Sequence, residues 1–275
     1  MWDTLNRMIT TAVDAWRMPW RSAGPWGGMA ALSLPATLLF LAAFRLASDP
    51  AEIRRRRARA TARLLEIALF RREALMTLGA LRRFLAANAA YLARLLWPTA
   101  AGLAPLALWL GQVYECGAYR PPRPGEAVVV TARLTPGADP LAPDIGLRAE
   151  GPLRVEAGPV RAPARREVSW RVRALGAGAG RVSVTLNGRE FLMSLPAGDD
   201  AARLAPRRAH GGFWSRVWQP SQPPLPADAP LAAIAVAAPR REYRWAGGEL
   251  HWLGAWAVCS LFLALALMKP LGVAL

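Results

Sequence analysis

Few side chains in this sequence stand where they could do covalent chemistry. Its two histidines are His210, in a Gly-rich stretch, and His251, at the edge of an apolar run, and neither has a carboxylate or thiol at a motif spacing. Asp199 and Asp200 are adjacent acids, but in a Gly/Ala turn such a pair is expected to be solvated rather than poised as general acid and base. Cys116 and Cys259 do not make a disulfide scaffold, since the first lies at the outer end of one expected span, just past an uncharged run, and the second lies inside another run. The sequence holds no metal-ligand cluster, Gly-x-Ser-x-Gly elbow or Walker loop. The alternating Gly and Ala of residues 176–180 do not lead into a helix, so they read as a loop and not a phosphate cradle. A non-enzymatic protein without catalytic residues, metal or cofactor is the expectation. What the chain does carry is charge suited to binding. Arg54, Arg55, Arg56, Arg57, Arg59 and Arg63 make a cytoplasmic basic patch fit for anionic lipid headgroups; contact with ribosomal RNA or an acidic partner is the alternative.

The elements that position these residues are set by three apolar runs. Residues 29–44, 95–114 and 252–268 carry no charged side chain over 16, 20 and 17 residues. A bilayer core needs about 20 apolar helical residues, and uncharged or snorkelling flanks extend the shorter runs, which gives expected spans over 26–48, 95–115 and 250–270. Between the first two runs, 50 residues hold 12 Arg against 4 acids, whereas the 136 residues from 115 to 250 hold 19 Arg against 13 acids. Short basic loops stay cytoplasmic and long domains translocate largely regardless of charge. The expectation is therefore a multi-pass protein of a bacterial cytoplasmic (inner) membrane, N-out and C-in. The net charge of +16, from 34 Arg and one Lys, follows from this signature and an Arg-rich composition rather than from recognition of a nucleic-acid sequence.

Residues 1–22 form an amphipathic helix. Trp2, Leu5, Met8, Ile9, Ala12, Val13 and Trp16 fall on one face, with Asp3, Asn6, Arg7, Thr10, Asp14 and Arg17 on the other. It is expected to lie in the outer interface, with packing on the outer domain as the alternative. Residues 49–94 read as a cytoplasmic hairpin opened by Asp49 as N-cap and Pro50 at the first helical position. One arm carries Ile53, Ala60, Leu64 and Ile67. The other carries Ala74, Leu78, Leu81, Leu85, Asn88, Leu92 and Leu95, a heptad seam that predicts a coiled coil turning near residues 70–73; one long bent helix is the rival.

Beyond the second run the period changes to two. Residues 126–134 are β-branched and apolar, Val168, Trp170 and Val172 alternate with polar neighbours, and so do Val182, Val184 and Leu186. Asn187-Gly188 predicts a type I′ turn into a strand with Phe191, Met193 and Leu195. With strands near 145–150, 153–156 and 231–238, residues 120–245 predict an extracytoplasmic, immunoglobulin-like all-β sandwich, interrupted by a Pro-rich loop over 196–230 with a short interfacial piece around Phe213, Trp214, Val217 and Trp218. Trp245, Trp252 and Trp256 are expected in an outer aromatic belt.

The order of these parts resembles the YidC/Oxa-type membrane insertases, whose minimal members have a three-span core with a basic cytoplasmic hairpin. Phe44-Arg45-Leu46-Ala47-Ser48-Asp49-Pro50 places an arginine five residues before the proline that opens the hairpin, as bacterial members do, and Leu96-Trp97-Pro98 with Pro105 is similar to their proline-punctuated second core span. The resemblance covers residues 1–114 and 251–275; the β domain replaces other elements. It implies an insertase or membrane chaperone with an open groove on the inner side, in which Arg45 keeps the surface wet and attracts an incoming segment. Thr37, Gln112 and Ser260 are the other groove candidates. Snorkelling of Arg45 to headgroups is the alternative. The implied partners are the lipid bilayer, nascent membrane proteins or the ribosome, and an envelope protein through the β domain. A non-catalytic envelope scaffold is the competing function.

Overall fold

Hydrophobic period decides element type along this chain. In a computed structural model, residues 2–69 and 74–272 are described, and they divide into two units, Met1–Leu32 with Trp109–Ala257 and Ser33–Leu108 with Val258–Leu275. The helices are α1 (Trp2–Arg17), a 3-10 turn (Met18–Ala23), α2 (Gly24–Ala47), α3 (Pro50–Leu69) and α4 (Ala74–Gly117), followed by the short α5 (Phe213–Trp218) and α6 (Trp252–Met268). Among the described residues one helical stretch, Asn6–Ala47, is long and apolar enough to cross a membrane, and α6 is apolar but shorter. The second apolar run is the C-terminal part of α4, a single helix of 44 residues that also supplies the second hairpin arm; at 1.5 Å per residue it is about 66 Å long.

Both prolines of the second run lie inside α4, and Pro35 lies inside α2. A helical proline lacks the N–H that would bond the carbonyl four residues back, here that of Ala31. The indole Nε1 of Trp16 donates to the Ala31 carbonyl instead, at 2.8 Å.

The hairpin begins as its N-cap predicts, with Asp49 Oδ1 accepting from the amides of Ala51 (3.0 Å) and Glu52 (3.2 Å). Its arms run antiparallel: Arg56 reaches the Ala90 carbonyl at 3.2 Å, while Glu66, ten residues on, pairs with Arg83, seven residues back, at 2.7 Å. The expected turn at 70–73 lies outside the described residues, as do the side chains of Ile67 and Ala74. The leucine seam itself is corrected. Leu78, Leu81, Leu85 and Leu92 are exposed, Leu81 by 41% and Leu85 by 55%, whereas Ile53, Ala60 and Ala80 are buried. In the hairpin part of α4 the positions Ala80, Phe84, Ala87, Tyr91, Leu95 and Pro98 are less exposed, a stripe at steps of 4, 3, 4, 4 and 3 turned to the neighbouring face; of the expected seam, Asn88 and Leu95 are half-buried. Small and aromatic residues let the helices approach, and the leucines are left outside.

The other unit holds the β domain. Strands β1 (Ala127–Leu134), β2 (Gly146–Glu150), β3 (Leu153–Ala162), β4 (Glu167–Ala174), β5 (Arg181–Leu186), β6 (Arg189–Ser194), β7 (Arg207–Ala209) and β8 (Leu231–Val236) form two antiparallel sheets, ordered β3-β4-β1-β8-β7 and β2-β5-β6. A small hairpin of β9 (Tyr243–Trp245) and β10 (Gly248–Leu250) follows. Alternation puts Val128, Val130, Ala132 and Leu134 of β1 into the same core as Val168, Trp170 and Val172 of β4 and Val182, Val184, Phe191 and Met193 of the smaller sheet. Val130 stands opposite Trp170 and Val184 opposite Phe191, so the expected register of both strands holds. Asn187 and Gly188 take φ of 53° and 70°, which a type I′ turn requires at both central residues. The Pro-rich loop is more structured than expected: it contains β7, which extends the larger sheet, and α5.

Candidate functional site

The polar face of α1 is the starting point. Asn6 Nδ2 donates to the carbonyl of Pro220 at 3.0 Å, and Asp14 accepts from Arg203 Nε (3.1 Å) and Nη2 (2.9 Å). Arg17 Nη2 donates to the Ala201 carbonyl at 2.8 Å. The helix therefore turns Asp14 and Arg17 toward protein, and Met8, Ile9 and Trp16 are exposed, Met8 by 66%. Packing on the β domain, the alternative expectation for this helix, is what its polar face does, while on its apolar face Val13 is buried, Trp16 bonds to α2, and Met8 and Ile9 stay exposed.

Beneath α1, the last turns of α4 present Gln112 and Glu115, both buried. Arg203 Nη1 donates to Gln112 Oε1 at 2.7 Å and Glu115 Oε2 at 3.0 Å. Gln112 Nε2 donates to Thr10 Oγ1 (3.2 Å), and Glu115 Oε1 accepts from the Ser221 amide (3.3 Å). One guanidinium thus bridges a helix-borne glutamate and an aspartate of α1, and every oxygen of Glu115 has a donor. Burying a carboxylate without such compensation would cost several kcal/mol. The same end of α4 is closely packed: a Cβ added at Gly111 would come within 1.8 Å of the Val217 carbonyl oxygen of α5. Trp109 Nε1 donates to the Leu32 carbonyl at 3.0 Å, and Tyr114 stacks edge-on with Tyr119, Trp218 and Trp252 at centroid distances of 5.6, 5.9 and 5.6 Å.

Beside the network is a cavity of about 260 Å³ whose walls include Arg17, Arg21, Arg241, Asp200, Trp20, Pro25, Met29, Leu32 and Cys116. A neighbouring cavity of about 330 Å³ shares Pro25, Asp200 and Arg241 and adds Arg120, Arg123, Arg244 and Glu242. The acids at the rim are held by other arginines. Asp200 pairs with Arg123 at 2.8 Å, which lowers its pKa, and Asp199 lies 3.8 Å from Arg21. Glu126, gripped by Arg120 and by the Arg123 amide, is likewise held below the usual carboxylate range. The expected solvated acid pair is thus a pair of surface clasps. Arg241, half-buried, donates to the carbonyls of Tyr119 (3.3 Å) and Asp200, and burial pushes its pKa down.

The groove candidates are not brought together. Gln112 belongs to this network, whereas Arg45, Thr37 and Ser260 belong to the other unit. Arg45 Nη1 donates to the Leu271 carbonyl at 2.8 Å from an exposed position. The hydroxyls of Thr37 and Ser260 are buried with no hydrogen-bond partner among the described residues. In the basic patch, Glu52 pairs with Arg56 (2.6 Å) and Arg55 (3.4 Å), Glu66 pairs with Arg63 (2.9 Å), and Arg54, Arg57 and Arg59 are exposed. No group of three metal-ligating side chains occurs among the described residues. Sequence reasoning missed Arg203, which sits in an Ala-rich stretch of the Pro-rich loop with no periodicity to flag it. The one available signal was Glu115, an acid closing an uncharged run of 20 residues. Comparison of the chain with protein-family models, with curated proteins and with solved structures gives no match.

Proposed function

We propose that this chain is a membrane-embedded insertase or chaperone of the YidC/Oxa type that assists insertion or assembly of membrane proteins. In this reading α2, the C-terminal part of α4 and α6 are the spans, N-out and C-in in a bacterial inner membrane. The β domain is an extracytoplasmic, immunoglobulin-like sandwich, and Trp245, Trp252 and Trp256 lie in the outer aromatic belt. The supporting observation is the hairpin's surface. Leu64, Leu65, Leu69, Leu78, Leu81, Leu85 and Leu92 are exposed on arms that also carry the arginine patch. Contiguous exposed apolar surface rimmed by charge marks a surface that meets apolar partners, and a client segment on its way into the bilayer is such a partner. Arg45 would draw the segment's polar groups, because an open three-span bundle leaves room for water around a charge at its inner end. The role needs no enzyme chemistry and no cofactor.

A second reading, an anchored envelope scaffold whose β domain binds a partner protein, is favoured by the bracing of that domain through Asp14, Arg203 and Glu115. Photoreactive probes at Leu78, Leu81 and Leu85 are expected to crosslink a nascent membrane protein, with a probe at exposed Leu192 of β6 giving none. Crosslinks from Leu192 alone, to a mature envelope protein, would replace the insertase with the scaffold.

A further inference from the structure

We propose that the cavity beside the 3-10 turn is a binding site for a phosphate-bearing anion, of which the headgroup of an anionic phospholipid is one source and soluble phosphate the other. The proposal is independent of what the hairpin does.

Two guanidinium groups carry the argument. Arg17, nine-tenths buried, and Arg241 both line this cavity, and the Nε of each is buried with no hydrogen-bond partner among the described residues. Their other close bonds go to backbone carbonyls: Ala201 for Arg17, Tyr119 and Asp200 for Arg241. Carbonyls satisfy N–H groups but do not neutralise charge. The carboxylates within reach are already engaged. Asp14 is 4.0 Å from Arg17 but accepts two bonds from Arg203, and the Asp200 carboxylate is held by Arg123. One buried and one half-buried cation without a committed counter-ion are costly, and an anion in the cavity relieves both at once. Guanidinium prefers phosphate oxygens because its fork of donors matches them in pairs.

The shape of the cavity agrees with this. At about 260 Å³ it is far larger than the roughly 30 Å³ of a water molecule. Its arginine wall, with Arg21 as a third cation, is continued by Trp20, Pro25, Met29 and Leu32. A polar end beside an apolar wall suits an amphiphile, and Trp20 of that wall and its neighbour Met18 are exposed apolar side chains.

The test uses the full chain in nanodiscs of phosphatidylcholine, with or without phosphatidylglycerol, released for native mass spectrometry. Wild type is expected to retain one phosphatidylglycerol in preference to phosphatidylcholine. Arg17→Gln and Arg241→Gln should each weaken that retention about tenfold, the loss of one charge-assisted hydrogen bond, and Arg148→Gln, an exposed change on β2, should not. In a parallel arm inorganic phosphate is titrated against the detergent-solubilised wild type. A rise in Tm assigns soluble phosphate as a ligand, and lipid retention without that rise assigns the headgroup. Should either Gln variant fail to fold, the wild-type arms decide. Wild type that neither prefers phosphatidylglycerol nor gains stability with phosphate overturns the site, as do folded Gln variants that bind like wild type.

Discussion

The two units treat polarity in opposite ways. The β-bearing unit buries charge: Glu115 is fully enclosed, Arg203 nearly so, and the polar face of α1 closes over both. The hairpin unit exposes leucines along both arms and joins those arms by surface contacts such as Arg56 with the Ala90 carbonyl and Arg83 with Glu66. Burial therefore follows the supply of partners rather than residue type. A glutamate goes inside when one guanidinium and a backbone amide complete its oxygens, and a leucine stays outside when its helix packs through alanine.

The sharpest way to break this comparison is Arg203→Ala. It strands Glu115 and deprives Asp14 of its two bonds, so a loss of about 3–5 kcal/mol is expected. Hydrogen exchange should place the loss in α1 and the end of α4, with the α3 amides unchanged. Uniform loosening of both units would mean that the network is not local to one of them.

Within the hairpin, Ile53→Ala should cost about 2–4 kcal/mol, since Ile53 is fully buried in the first arm. Leu81→Asp, by contrast, should stay within about 0.5 kcal/mol, the range for an exposed position. Denaturation followed by helical circular dichroism separates the two. Equal losses would restore the leucine seam read from the sequence.

Gly111→Ala tests how tightly the β-bearing unit is packed. Alanine is the better helix former by about 1 kcal/mol, yet its methyl would meet the Val217 carbonyl, so a net loss of about 1–3 kcal/mol is expected. A gain in Tm would show that α5 yields.

The smallest expected effect is on acidification. Asp200 and Glu126 have pKa values lowered by Arg123 and Arg120. Because their folded values lie below the unfolded ones, they stabilise the fold above the ordinary carboxylate pKa, and that contribution fades as pH falls through the depressed folded values. Asp200 is exposed and Glu126 about one-third exposed, and solvent screening keeps each contribution under about 1 kcal/mol. The Arg123→Gln variant should lose less stability than wild type between about pH 6 and about pH 3, a range that brackets the ordinary carboxylate pKa; an identical pH profile would mean the Asp200 clasp contributes nothing.

Where a periodicity had one physical meaning, the sequence was readable. Strands β1, β4 and β6 follow a period of two with one buried face, β5 departs from it only at the buried Ser183, and Asn-Gly readily accepts the two successive positive φ angles of that turn. The helical seam was harder to read because two stripes of α4 have nearly the same spacing and meet at Leu95. Leucines suggested the contact face, but Ala80 and Ala87 allow closer approach, and that is a property of the partner helix. The α1 amphipathicity was legible, but not which face would be covered, since the covering charge comes from Arg203, 189 residues away from Asp14. Such a pairing has no local signature. The same holds for the cavity, assembled from the N-terminal turn and residues near 200 and 241.

The indole of Trp16 lends its N–H to a carbonyl that Pro35 leaves bare. Two positions 19 apart are thus yoked by a single missing proton, and neither can be judged alone. Trp16→Phe leaves the carbonyl unserved only while position 35 is proline; Pro35→Ala supplies the donor from within the helix and frees the indole from the task. The pair should drift together among descendants of this chain, one substitution granting permission for the other, as a dependence written in order of occurrence rather than in contact.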